Sequence, residues 1–237
     1  MRRRVLGLGT VVLLVAAYLL LPSQPVPNEA IDGAEVHLPF DGDLNGRGRV
    51  RVQAASDGDA ASFVQGVFGQ ALWSDGSGTA IVTDLPAALR VFDRTEVSLS
   101  VKAEDWVNPY GAGSAVQTIA VLTGASDAGL QHLTFSIVGA SHDMFEVRFK
   151  DTAGETIKMR TGRGAVGDDW QRLSLEVNQP GRATDLLLDG KVVASSGSVP
   201  DLMRHRLTTL KFGTWHQQNQ AFRGAIDQFV IRDAAVE

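Results

Sequence analysis

The chain has 237 residues, with 22 Lys plus Arg against 27 Asp plus Glu, five His and no Cys, a length for one large globular domain or two small ones. Beyond Ala30, once Arg2, Arg3, Arg4 and Glu29 are set aside, 19 basic residues face 26 acidic ones and the body carries about −7; this excludes a nucleic-acid binder that works by phosphate neutralisation. The lack of Cys excludes disulfide staples, a thiol nucleophile, a Cys-ligated metal and a lipidated N-terminal Cys, so the fold must stand on its core, for which 44% hydrophobic residues are sufficient.

At the N-terminus, Arg2, Arg3 and Arg4 precede an uncharged apolar run from Val5 to Leu21, closed by Pro22, Pro25 and Pro27. The run is about 17 residues long, more than a usual signal-peptide core and near the lower limit for spanning a bilayer. The best cleavage site on offer, Ala30 with Asn28 two positions before it, is poor. Residues 1–21 are therefore expected to form a transmembrane signal-anchor with a cytoplasmic N-terminus, and residues 22–34 a Pro-rich linker. The body is then periplasmic or extracellular, or secreted if the segment is cleaved.

From Glu35 onward, apolar residues recur with period two in short runs: Val97, Leu99, Val101; Leu133, Phe135, Ile137; Phe145, Val147, Phe149; Leu173, Leu175, Val177. Gly, Asn, Asp and Ser clusters separate them, as turns require. About a dozen strands fit this pattern, and the 25 Gly argue against a helical body. Only Thr83 to Arg90 has the composition of a short helix. The fold class expected is all-β, one antiparallel sandwich of two sheets, preceded by the N-terminal transmembrane helix.

Five motifs, in order, carry a family likeness: Leu38-Pro39-Phe40-Asp41-Gly42; Gly66-Val67-Phe68-Gly69-Gln70-Ala71-Leu72; Asp169-Trp170 followed by Leu173; Leu186 to Leu188 with Asp189-Gly190; and Phe222 to Asp227 followed by Val230. Together, over about 35–235, they resemble the laminin-G-like group of the concanavalin A-like lectin and glucanase superfamily. The resemblance implies a jelly-roll sandwich whose first and last strands are neighbours. The residues agree: Asp189-Gly190 between apolar runs is a two-residue hairpin signal, and Gly224 lets backbones pass closely. Phe68, Leu188 and Phe222 are expected in the core, with Trp73 and Trp170.

Catalysis finds little support. Glucanases of this superfamily place carboxylates on one strand in an E-x-D-x-x-E or related pattern, because retaining hydrolysis needs two carboxyls facing one cleft. That pattern is absent, and Glu104 beside Asp105 would face opposite sides of a strand. Ser141, His142 and Asp143 are adjacent in a turn and cannot orient one another as a triad. No nucleophile elbow, phosphate loop, H-E-x-x-H or dinucleotide fingerprint occurs. The body is read as non-enzymatic.

For metal, Asp41, Asp43 and Asn45 alternate with oxygen donors of the kind Ca²⁺ takes. The resemblance implies a structural Ca²⁺ between first and last strands, with Asp41 and Asp227 as side-chain ligands and a backbone carbonyl near Gly78; the alternative is that Asp41 and Asp227 cap turns or pair with Arg. For ligand, two loops combine aromatic rings with amides and carboxylates, the composition of sugar sites: Glu104 to Ser114, with Trp106, Asn108 and Tyr110, and Thr214 to Gln220, with Trp215, His216 and Gln218. Two functions follow. One is a membrane-anchored recognition module for a glycan or protein ligand. The other is a structural accessory subunit of a larger membrane complex, such as a respiratory, photosynthetic or secretion assembly.

Overall fold

In a computed structural model of the chain, the residues described are 34–53, 55–56, 61–77, 81–85, 89, 92–104, 116–126, 129–139, 143–214 and 220–235. The expected anchor, and all of the linker but Ala34, lie outside them. Among the described residues are fifteen strands: β1 (Ala34–Leu38), β2 (Ala55–Ser56), β3 (Ser62–Gln65), β4 (Gln70–Asp75), β5 (Ile81–Asp84), β6 (Arg94–Ala103), β7 (Val116–Ser126), β8 (Gly129–Val138), β9 (Met144–Lys150), β10 (Thr156–Arg160), β11 (Gln171–Asn178), β12 (Ala183–Leu188), β13 (Lys191–Ser196), β14 (Arg206–Phe212) and β15 (Arg223–Asp233), with one 3-10 helix, Asp201–Arg204. The excess over a dozen comes from β2, β3 and β5, which are too short to show a period. At the expected helix, Thr83 and Asp84 instead complete β5, and the Leu85 N–H donates to the Thr208 carbonyl at 2.7 Å, prolonging the ladder onto β14.

The strands form two antiparallel sheets, β13-β12-β11-β6-β15-β4-β3 with β1 also on β15, and β10-β9-β8-β7-β14-β5-β2. The four apolar triplets lie on β6, β8, β9 and β11, and each member is at most 1% exposed. Alternation turns them inward from both sheets, where each buried side chain is worth about 1.5–3 kcal/mol. Phe212 of β14 ties the layers together, its ring edge-on to Phe40 at 5.1 Å and to Phe229 of β15 at 5.2 Å. Asp189 and Gly190 close the β12–β13 hairpin with φ of 51° and 75°, as the turn needs.

As expected, the first and last strands are neighbours, with Leu38 opposite Phe229 and Ala34 opposite Arg232. That flank of β15 is shared: β4 pairs with Arg223 to Ile226, and β1 takes over from Phe229. There the pairing of β15 with β6 shifts register between Asp227 and Val230, with Gln228 at φ of 50°. Phe222 is fully buried and Leu188 packs half-buried against the core. Three expectations are corrected. Phe68 is half-exposed because it sits in the β3–β4 turn. Trp73 is half-exposed because it follows the inward Leu72 on β4 and so faces the other side. Trp170 is half-exposed because it precedes β11.

Candidate ligand site at the loop end

The two loops singled out above, residues 105–115 and 215–219, lie outside the described residues, and with them Trp106, Asn108, Tyr110, Trp215, His216 and Gln218. Their roots do not. β6 runs out at Ala103, opposite Gly224, and the Glu104 N–H donates to the Arg223 carbonyl at 3.2 Å. The exposed Glu104 and Arg223 side chains approach to 3.7 Å. On the opposite sheet, Thr118 of β7 bridges Ala221, while the Arg223 N–H reaches the Gln117 side-chain oxygen at 3.3 Å. With the Phe222 N–H donating to the Gly213 carbonyl at 2.7 Å, four chain segments meet, and the roots of both loops lie at one end of the sandwich.

At the same end a cavity of about 290 Å³ opens between the sheets. Its floor is apolar, with Leu72, Ile81 and Phe212, and its rim carries Ser62, Trp73, Ser74, Asp75 and Ser77, with Gly213 leading into the second loop. The rim is held by its own bonds. The Ser74 hydroxyl donates to the Phe222 carbonyl at 2.7 Å, and the Ser77 N–H donates to Asp75 at 2.8 Å. Hydrogen bonds from Ser77, with the Arg223 charge a lesser cause, hold the Asp75 carboxyl below the usual carboxylate range, so at neutral pH it presents an ionised acceptor. An apolar floor with a few convergent acceptors and hydroxyls suits a small polyhydroxylated ligand.

Asp41 and Asp227, the residues assigned to calcium, do converge. Both meet the β3–β4 turn: the Val67 and Phe68 N–H groups donate to Asp227 Oδ2 at 2.9 and 3.3 Å, and the Gln70 N–H donates to Asp41 Oδ1 at 3.1 Å. Asp227 Oδ1 accepts from the Gln228 backbone N–H at 2.8 Å and its side-chain amide at 3.3 Å. Arg47 lies 3.9 Å from Asp41. With four N–H groups donating to it, Asp227 as placed caps the turn. The carbonyl near Gly78 lies outside the described residues, which contain no group of three or more His, Asp or Glu placed to hold a metal. The turn is close-fitting: Gly69 has φ of 63°, and a Cβ there would overlap Asp41 Oδ1. Burial pushes the Asp227 carboxyl up to about 6, against the pull of those N–H groups.

Sequence reasoning missed two further features. Glu96, on the outer face of β6 and 4% exposed, accepts from Arg172 at 2.9 Å and Arg232 at 2.5 Å, joining β11, β6 and β15. His37 is 1% exposed, and its Nε2 lies 2.8 Å from the Gln228 side-chain oxygen. The charges were visible, but their pairing across strands far apart in sequence was not. Among other candidates, Ser141 and His142 lie outside the described residues.

No protein-family model matches the chain, and no curated protein matches it. Solved structures do. Domain 4 of AbnA, a GH43 extracellular arabinanase from Geobacillus stearothermophilus, solved in complex with arabinotriose, is similar at 21% identity and a TM-score of 0.60, over 84% of this chain and 92% of that one. The binding domain of Paraclostridial Mosquitocidal Protein 1 is similar at 15% identity and a TM-score of 0.63, over 87% and 50%. The receptor binding domain of botulinum neurotoxin D is similar at 16% identity and a TM-score of 0.61, over 85% and 49%. The chain thus spans about half of each of the two toxin domains. At such identities the likeness is one of fold: an antiparallel two-sheet β-sandwich that these binding domains share.

Proposed function

We propose that this protein is a non-enzymatic recognition module of laminin-G-like, concanavalin A-like type, held at the membrane by residues 1–21 with its sandwich on the extracytoplasmic side, and that it binds a glycan at the loop end. One observation carries the reading: the two aromatic and amide-rich loops share a root, beside a cavity with an apolar floor and a rim of Ser and Asp. Trp106 and Trp215 supply rings for stacking on pyranose or furanose faces, and Asn108, Tyr110, His216 and Gln218 supply directional hydrogen bonds. Support comes from the similar arabinanase domain, which was solved with arabinotriose, and from the similar toxin domains, described as binding domains.

The test is a glycan array followed by calorimetry with arabinotriose. Trp215→Ala and Trp106→Ala are expected to lower affinity by at least about tenfold, with little change in melting temperature because the sequence places both rings outside the period-two apolar pattern of the core. A protein that binds no glycan and purifies stoichiometrically with other membrane chains would instead make it an accessory subunit.

A further inference from the structure

The register puts a second set of loops at the opposite end of the sandwich, where β9, β11 and β13 finish. There a cavity of about 510 Å³ lies among the segments around Asp93, Asp151, Gln179 to Arg182, Gly197 to Val199 and Arg204. This is larger than the opening at the loop end and falls within the range of small-molecule sites, about 300–1,000 Å³.

Its walls are fixed before any ligand arrives. Gln179 joins three segments: its backbone N–H donates to the Asp93 carbonyl at 2.8 Å, and its side-chain amide donates to the carbonyls of Phe92 and Met203, each at 3.0 Å. Asp151 Oδ1 accepts from the Ala153 and Glu155 N–H groups, each at 2.9 Å, and Oδ2 accepts from the Ser198 hydroxyl at 3.1 Å. Asp151 therefore serves the frame, and the charges left for a ligand are Asp93, Arg182 and Arg204 on the rim, all exposed. Neither Arg has an acidic partner within the ion-pair distance among the described residues.

Arg182 also stands where a long side chain is unusual. Its φ is 48°, the left-handed region that Gly or Asn enters more cheaply, and its N–H closes the turn onto the Gln179 carbonyl at 3.1 Å. Turn geometry alone does not call for an arginine here, so the guanidinium itself is the feature to explain.

We infer that this cavity is a second ligand site, for a singly charged acidic sugar. Two guanidiniums offer forked donors to an oxyanion, carboxylate or sulfate. Asp93 accepts from sugar hydroxyls and, with Asp151 in the wall, repels polyanions. Among the described residues no aromatic side chain lines the cavity, so recognition there rests on charge and hydrogen bonds, in contrast to the stacking proposed at the other end. The sugar class rests on the proposed function, whereas the oxyanion site itself does not depend on what the loop end binds.

The test uses the full-length protein in detergent, titrated calorimetrically and by saturation-transfer NMR with galacturonate as the singly charged carboxylate probe, galactose 6-sulfate as the sulfated probe and galactotriose as the neutral one. Arg182→Asn, which tolerates the backbone conformation, and Arg204→Gln are combined in one variant. Expected is millimolar or tighter binding of an acidic probe that weakens with salt and falls at least about tenfold in the double variant, with an unchanged melting temperature and with Trp215→Ala silent. Whichever acidic probe binds identifies the oxyanion as carboxylate or sulfate. Absence of binding by both acidic probes, binding indifferent to the double variant, or equal binding of galactotriose would each overturn the inference. Loss of arabinotriose binding in Trp215→Ala belongs to the loop end and leaves this site untouched.

Discussion

Replacement of Asp227 by Asn isolates the energetics of the capped β3–β4 turn. The side chain is 0% exposed, and its two oxygens accept from the N–H groups of Val67, Phe68 and Gln228 and from the Gln228 side-chain amide. Asn keeps the shape but offers one acceptor oxygen, and its NH₂ must face N–H donors on one side or the other. Leaving such donors unsatisfied costs about 1–3 kcal/mol. The carboxyl titrates near 6 in the fold against an ordinary 3.8, so between those values the folded state holds a proton that the unfolded state has released. Stability from this group is therefore greatest below about pH 4 and declines as pH rises to about 6. That rise corresponds to about 3 kcal/mol. The Asn variant lacks this slope. Urea unfolding of both proteins at pH 4, 5, 6 and 7 should show the variant weaker by about 1–3 kcal/mol at pH 4, with the deficit closing or reversing by pH 7 as the wild type alone loses about 3 kcal/mol. Because the other acids are common to both, the difference reports Asp227 alone. A penalty that grows with pH would refute the reasoning, for it would mean that the amide donors outweigh burial and hold the carboxyl ionised.

Three other measurements bear on the framework. Glu96→Gln removes the charge between Arg172 and Arg232; burial would push this carboxyl up, but bonds from the two Arg hold it below its ordinary value, so the loss should be about 1–3 kcal/mol at pH 7 and shrink as pH falls through and below the ordinary 4.5. Phe222→Ala, at a fully buried ring, should cost about 3–5 kcal/mol, against about 1–2 kcal/mol for Leu188→Ala at a half-buried position; equal losses in chemical denaturation would contradict the assigned burial. Gly69→Ala, with positive φ and a Cβ that would overlap Asp41, should lower stability by more than about 1 kcal/mol, while Gly190→Ala, with open space around its Cβ position, should cost less by the same assay.

The sheets were legible because one strong rule governs them. A side chain on β6, β8, β9 or β11 faces the core or does not, and Val97, Phe135, Phe145 and Leu175 declare the register within five residues. The Asp189-Gly190 hairpin was equally local. What the sequence did not disclose are events between positions far apart. Ile226-Asp227-Gln228 reads as a strand with an outward acid, and nothing nearby says that Asp227 is fully buried against the amides of Val67 and Phe68. For the same reason Phe68 was expected in the core: its motif is structural, but the structural part is its backbone N–H. Trp73 was misplaced by hydrophobicity where parity with Leu72 was the better guide. Of the candidate site, the loop compositions were legible and the common root of the loops was not, since that depends on the pairing of β15 with β6 and the Thr118 to Ala221 bridge. The polar cavity at the other end draws on segments from Asp93 to Arg204, none of which carries a motif.

These two kinds of information meet on β4. At one end of this six-residue strand, Asp41 and Asp227 clamp the turn that starts it; at the other, Ser74 and Asp75 enter the rim of the loop-end cavity. Its Cα register on β15 runs unbroken from Leu72 opposite Ile226 to Asp75 opposite Arg223, so a shift at the clamp would be passed along a paired strand rather than absorbed. The cavity rim is thus carried by a strand whose other end is clamped by a buried carboxylate, the kind of rigid base a site needs. On the proposed reading, ligand choice rests with Trp106, Tyr110 and Trp215 of the two loop sequences, and the fold shared with the similar solved domains does not by itself name a ligand.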